Sequence, residues 1–199
     1  MSPRFYDREM LAEIEAAGDK RPGLLLHVCC APCSARALEE LSRAFSLRLF
    51  FFNPNIFPER EFALRLGALR RFLMKPPLYR EIPLIVPEYD RAEFAELSAG
   101  LESEPEGGER CRKCFALRLR RTAEEARRLG LPYAATSLTV GKQKNAALIN
   151  GTGEAAAAEY GVRWLPADFK KRGGYERSLE LSREYGLYRQ SYCGCEYGR

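Results

Sequence analysis

A single histidine, a single tryptophan and no long apolar run set the first limits on this chain of 199 residues. Nowhere does it approach the ~18 consecutive apolar residues that a membrane span requires. The segment Met1-Ser-Pro-Arg-Phe-Tyr-Asp-Arg-Glu9 has neither the apolar core nor the small-residue cleavage site of a secretory signal. The expectation is a soluble cytoplasmic protein with no membrane partner. The lone histidine, His27, lies inside a predicted strand and reads as a core side chain hydrogen-bonded to backbone before it reads as a ligand or proton donor. Internal repeats and low-complexity tracts are also missing, and an apolar content of 46% in 199 residues suits one domain with a sizeable core.

What the chain does have is seven cysteines in three tight groups, Cys29-Cys30-Ala-Pro-Cys33, Cys111-Arg-Lys-Cys114 and Cys193-Gly-Cys195. In a reducing compartment persistent structural disulfides are rare, so grouped thiols point to metal ligation or thiol redox cycling, and the odd count agrees. Compact zinc modules bring their ligand pairs within about 12 to 20 residues of each other, and these groups are far more widely separated. Four thiolates from distant parts of a full-sized domain can instead hold a [4Fe-4S] cluster. A disulfide across Cys193-Gly-Cys195 would close a small, strained and easily reduced ring, as a catalytic dithiol requires. The bland readings are buried thiols at a strand end, an apolar helix stripe for Cys111 and Cys114, and a tail with incidental thiols.

The pattern of elements is α/β. Leu24 to Val28, Leu47 to Phe52, Leu84 to Val86 and Tyr133 to Ala135 read as strands. Helical segments run from Ala35 to Phe45, Glu59 to Met74, Arg91 to Leu97, Arg112 to Leu129, Asn145 to Tyr160 and Ser178 to Tyr185. Alternation of this kind predicts a mostly parallel, Rossmann-like sheet with helices on both faces and the site at the carboxyl ends of the strands. Cys29 and Cys30, after the first strand, and Asn53 and Asn55, after the second, stand there. Residues 1–22 read as an N-terminal helix and entry loop, and 186–199 as a C-terminal redox segment, within one domain spanning 1–199.

The formal net charge of +5 is spread unevenly, and most arginine runs, such as Arg110-Cys-Arg-Lys113 and Arg118-Leu-Arg-Arg121, read as solvated helix faces. Lys170-Lys171-Arg172, followed by Gly173-Gly174-Tyr175, is the run that best suits a phosphate backbone and a stacked base.

Several stretches together resemble the cobalamin-independent epoxyqueuosine reductase family. They are Leu25-Leu-His-Val-Cys-Cys-Ala-Pro-Cys-Ser34, Phe52-Asn-Pro-Asn-Ile56, Gly107-Gly-Glu-Arg-Cys-Arg-Lys-Cys-Phe115 and the long run from Asp168 through Lys170-Lys171-Arg172-Gly-Gly-Tyr175 to Tyr192-Cys-Gly-Cys195. The resemblance implies an enzyme of queuosine biosynthesis that reduces epoxyqueuosine to queuosine at the wobble position of tRNA. It implies a [4Fe-4S] cluster on Cys29, Cys30, Cys111 and Cys114, a redox-active Cys193-Gly-Cys195, and an additional mononuclear iron beside the cluster. One departure is local: Gly141-Lys142-Gln143 stands where the family carries Ser-Pro and then an aromatic or histidine.

Removing an epoxide oxygen to leave an alkene takes two electrons and two protons, whereas a [4Fe-4S] cluster passes one electron at a time. Cys193 and Cys195 would supply the second redox partner, as a dithiol or as ligands of the second iron, with Cys33 as its best third ligand. Tyr188 and Tyr192 flank the pair as packing, stacking or proton-donating groups. An electron donor is required and is not identified by the sequence. Two other classes stay open: a non-catalytic metal-stabilised RNA-binding module, and a pyrophosphatase-loop-like tRNA-modifying enzyme, against which the missing S-G-G-x-D-S pattern argues.

Overall fold

The computed structural model describes residues 4–198. In chain order the elements are α1 (Tyr6–Ala17), β1 (Gly23–His27), α2 (Ala31–Leu41), β2 (Ser46–Phe50), α3 (Glu59–Leu73), β3 (Leu84–Ile85), α4 (Ala92–Ser98), α5 (Glu109–Arg128), β4 (Tyr133–Thr136), α6 (Ala146–Glu159), β5 (Arg163–Trp164) and α7 (Gly174–Glu184). The strands form one sheet in the order β3-β2-β1-β4-β5, every pair parallel. The register sets His27 beside Phe50 on one side and Thr136 on the other. Connections leave β1 toward β2 and β3, then return to the other side for β4 and β5. The order therefore reverses between β1 and β4, and a crevice opens there at the carboxyl ends.

Side chains alternate across the sheet and bury on two different sets of helices. Leu24, Leu26, Leu47 and Leu49 pack with Leu38 of α2 and Leu69 and Phe72 of α3. Leu25, Phe50 and Ala134 pack with Phe115, Leu119 and Ala123 of α5 and Ile149 of α6. Each fully buried leucine of this kind contributes about 1.5–3 kcal/mol. An all-parallel sheet with helices packed on both faces is the doubly wound α/β arrangement that the alternating pattern predicts. Among the described residues no helix is long and apolar enough to cross a membrane.

The predicted strands are present within two residues at each end. The structure adds β5, whose two residues, Arg163 and Trp164, form no apolar run and are recruited by pairing with Tyr133 and Ala134. Three helices begin earlier than predicted: α2 at Ala31, α5 at Glu109 and α7 at Gly174. Their first turns are Pro- and Gly-flanked and lack apolar periodicity, but Pro32 in the first turn of α2 is where a helix accepts a residue with no N–H. As a result Cys33 lies in the first turn of α2, and Cys111 in the first turn of α5. The described part of the N-terminal segment is α1 followed by a 3-10 turn at Gly18–Lys20; Met1, Ser2 and Pro3 lie outside the described residues.

Candidate metal centre and active site

A cavity of about 300 Å³ opens at the carboxyl ends of β1 and β4, and all seven cysteines line it. Three segments far apart in sequence thus deliver every thiol of the chain to one place. All seven are unbridged.

The sulfurs of Cys29, Cys30 and Cys33 lie within 4.8 Å of one another, the one such group among the described residues. The chain leaves β1, runs extended through Cys30 (φ −165°, ψ 159°) and enters α2, which turns the adjacent thiols to the same side. Their ionisation is shared. Cys29 sits well below the usual thiol range because Cys30 and Cys33 donate hydrogen bonds to it, with the Arg118 guanidinium adding attraction against the cost of burial. Donating that bond pushes Cys30 up to about 12 and holds Cys33 well above the ordinary value. Cys111 and Cys114 share a face of α5. Gly107, at φ 93°, brings its backbone N–H to 3.2 Å from the Cys111 sulfur. A hydrogen bond of this kind stabilises a ligating thiolate.

Cys193 and Cys195 belong to a segment without regular secondary structure, held by buried cations. Arg65 of α3, 1% exposed, pairs with Glu61 at 2.6 Å and donates to the carbonyls of Cys193 at 2.9 Å and Tyr192 at 3.4 Å. The Tyr188 hydroxyl donates to the same Glu61 at 3.0 Å. Arg110, also 1% exposed, donates to the Tyr197 carbonyl at 3.4 Å, and Arg91 pairs with Glu196. Gly194 crosses this latch at φ 107°, where an added Cβ would stand 3.0 Å from both Arg65 and Ile56. The resulting pair is asymmetric. Cys193 is brought down to about 6 by the bond donated from the Cys195 thiol, helped by the Cys195 N–H at 3.4 Å and by Lys144, against burial. Cys195 is correspondingly raised. A thiolate beside a protonated thiol is the resting arrangement of a reactive dithiol.

His27 is a core residue. Fully buried, it meets Thr136 Oγ1 at 2.8 Å and the Phe52 carbonyl at 3.1 Å, and burial with the nearby Arg118 lowers its pKa to about 3. Arg118 donates to Asn53 Oδ1 at 2.6 Å, and Asn53 donates to the Val28 carbonyl at 3.0 Å, tying α5 to the ends of β1 and β2 beneath the cavity.

Arg110 and Arg118 correct the reading of their runs as solvated faces, since both are almost wholly buried and line the cavity. The missed signal is spacing: Arg110, Cys114 and Arg118 are four residues apart and share one helix face. Arg65 carried no comparable mark. The basic run Lys170-Lys171-Arg172 lies outside the cavity lining. Lys170 pairs with Asp168 at 2.6 Å and donates to the Lys144 carbonyl, Arg172 pairs with Glu40 and Asp7, and Lys171 is exposed. The glycines after it close a tight turn: Gly173 has φ 70°, and a Cβ on Gly174 would fall 1.8 Å from the Phe169 carbonyl oxygen. Gly141, Lys142 and Gln143, the local departure from the family pattern, line the cavity instead.

The donor set fits an iron-sulfur cofactor. Cys29, Cys30 and Cys33 converge as a group, while Cys111, Cys114, Cys193 and Cys195 line the same cavity without joining it; all seven offer sulfur, the softness preferred by such clusters. Around them the cavity is lined by six cations, Arg65, Arg110, Arg118, Lys142, Lys144 and Arg189, and by the single carboxylate of Glu106, a balance that suits an anionic thiolate-ligated group.

A doubly wound α/β sheet whose switch-point cavity gathers every thiol of the chain among buried cations belongs to the class of α/β proteins with a site compatible with a metal. Comparison with known proteins is specific. The family model described as epoxyqueuosine reductase QueH matches residues 24–199. The chain is 41% identical over 196 residues to an epoxyqueuosine reductase QueH of Streptococcus pyogenes, covering 96% of this chain and 77% of that protein. It is 39% identical over 194 residues to the one of Staphylococcus epidermidis, covering 96% and 81%. With the one of Thermotoga maritima it shares 34% over 180 residues, covering 87% and 88%. The chain belongs to the epoxyqueuosine reductase QueH family, oxidoreductases of queuosine biosynthesis.

Proposed function

We propose that this chain reduces epoxyqueuosine to queuosine in tRNA, with a [4Fe-4S] cluster held by Cys29, Cys30, Cys111 and Cys114 and with Cys193 and Cys195 as the adjacent redox pair. The observation that carries the reading is the meeting of all seven thiols in one cavity of a chain from this family. Held by these cysteines, the cluster would supply one-electron transfer.

The rest follows from the protein's own groups. Opening the epoxide and expelling its oxygen as water consumes two electrons and two protons. Oxidation of the resting Cys193 thiolate and Cys195 thiol to a disulfide releases two electrons and one proton, and solvent water supplies the second proton, so the step balances. Cys193 is the more acidic thiol and Cys195 keeps its proton to donate. The Arg65 latch holds the pair against the cavity, and an external electron donor resets it. Cys33, Cys193 and Cys195 are also the sulfurs left for a second iron acting as Lewis acid on the epoxide oxygen. Lys171 and Arg172 are outer contacts for tRNA phosphates in this reading, and Lys170 braces their turn through Asp168.

The test is anaerobic single turnover. Cluster-loaded protein, reduced with a small dithiol and then desalted, is mixed with tRNA carrying epoxyqueuosine. The expected result is up to about one queuosine per chain, abolished in Cys193→Ser and Cys195→Ser with the cluster retained. Undiminished conversion by either variant would exclude the dithiol.

A further inference from the structure

The rim of the cavity gathers exposed charge and an aromatic ring from three separate segments. Lys142 comes from the loop after β4, Tyr175 from the first turn of α7, and Arg189 from the C-terminal segment four residues before Cys193. All three line the cavity. The Lys142 Nζ lies 5.7 Å from the centre of the Tyr175 ring, and the Arg189 guanidinium carbon 6.0 Å from it. Lys142 and Arg189 are exposed, and neither has an acid within ion-pairing distance among the described residues. The deeper lysine is spoken for, because Lys144 pairs with Glu106 at 2.9 Å. The basic turn beyond the rim is likewise largely neutralised by Asp168, Glu40 and Asp7.

Two unneutralised cations around one half-buried ring, at the mouth of a cation-lined cavity, have the chemistry of a single-stranded polynucleotide seat. The cations meet phosphates and the ring takes a base face. A modified nucleoside must leave its stack to put the ring that it carries inside the cavity. Its flanking phosphates and a neighbouring base then fall at the rim.

We propose that Lys142, Tyr175 and Arg189 are the seat for the tRNA strand around the modified nucleotide, the two cations holding phosphates and the tyrosine ring stacking a base. The inference rests on the proposed tRNA substrate and adds the residues that touch it. Placing Arg189 on the segment that carries Cys193 also couples strand binding to the position of the redox pair.

The experiment is binding of tRNA carrying epoxyqueuosine across a KCl series by fluorescence anisotropy, with cluster-loaded protein. Lys142→Ala/Arg189→Ala is expected to flatten the slope of log K against log salt by about 1.4, near 0.7 for each single-strand phosphate that is no longer neutralised. Tyr175→Ala is expected to weaken binding about 10-fold at unchanged slope, and Tyr175→Phe to restore it, since stacking needs the ring and not the hydroxyl. Lys20→Ala/Arg43→Ala removes the same charge from exposed positions at the amino end of the sheet and is expected to leave the slope within a few tenths of wild type. Equal slopes for the rim and control double variants, with wild type binding tightly, would overturn the rim assignment alone. Wild-type protein that fails to bind this tRNA would overturn the functional reading and the rim with it.

Discussion

Arg65 is the residue on which the position of the Cys193–Cys195 segment turns. Its guanidinium fork satisfies Glu61 and two carbonyls of the C-terminal segment at once, a task that a lysine ammonium performs with fewer and less directed bonds. Arg65→Lys is therefore expected to keep the fold but lose a charge-assisted bond worth about 1.5–3 kcal/mol at the segment. Iodoacetamide should then label Cys193 at least several-fold faster, as read by mass spectrometry. Cys193 itself is depressed to about 6, so it is thiolate above that pH and thiol below it. In metal-free protein its alkylation rate should rise with pH, reach half its plateau near pH 6 and be flat above about pH 7. Cys195→Ala removes the largest cause of the depression, and the midpoint should move up toward the ordinary thiol range of about 8.5. A midpoint that stays near 6 in that variant would show that the Cys195 thiol is not what activates Cys193.

Elements with a regular apolar rhythm were legible in the sequence, and elements assembled by contact were not. Leu24–Val28 and Leu47–Phe52 declare buried parallel strands because every residue can be apolar when both faces are covered. Arg163–Trp164 declares nothing alone. It becomes β5 because α6 delivers it beside β4, and the delivery depends on Gly153. A Cβ on Gly153 would stand 2.3 Å from the Trp164 ring, so α6 approaches the sheet only through that glycine. Gly153→Ala should cost about 1–3 kcal/mol by overpacking, measured by thermal or denaturant unfolding, whereas Gly151→Ala on the open side of the same helix should not destabilise. The C-terminal segment is the opposite extreme. Its path is set by Arg65, Arg110 and Arg91, none adjacent in sequence, and no periodicity could have foretold it.

Across the molecule, the strand reversal between β1 and β4 explains why the thiols meet. Cys29 and Cys30 follow the central strand directly, α5 passes along the face of the same strand carrying Cys111 and Cys114, and the latched segment closes the open side. Cysteine spacing announced that the grouped thiols would share one site, and all seven line the same cavity, while the charges around them were misjudged from composition. Arg110 and Arg118 are buried, and the acids that neutralise Lys170 and Arg172 come partly from α1 and α2, far away in sequence. Cys33 lies beside Cys29 and Cys30 and is the third sulfur of their group, outside the proposed set of four cluster ligands. If it holds a second iron, Cys33→Ala should lower iron to about four per chain and cut turnover at least 10-fold; unchanged iron and turnover would release it from any ligand role. The most direct measurement is iron and sulfide quantitation with the visible spectrum of anaerobically purified protein, wild type beside Cys111→Ala. A cluster on Cys29, Cys30, Cys111 and Cys114 requires at least four irons and four sulfides per wild-type chain, with both and the visible absorbance lost in the variant. Iron-free wild-type protein carrying zinc would contradict the cluster outright.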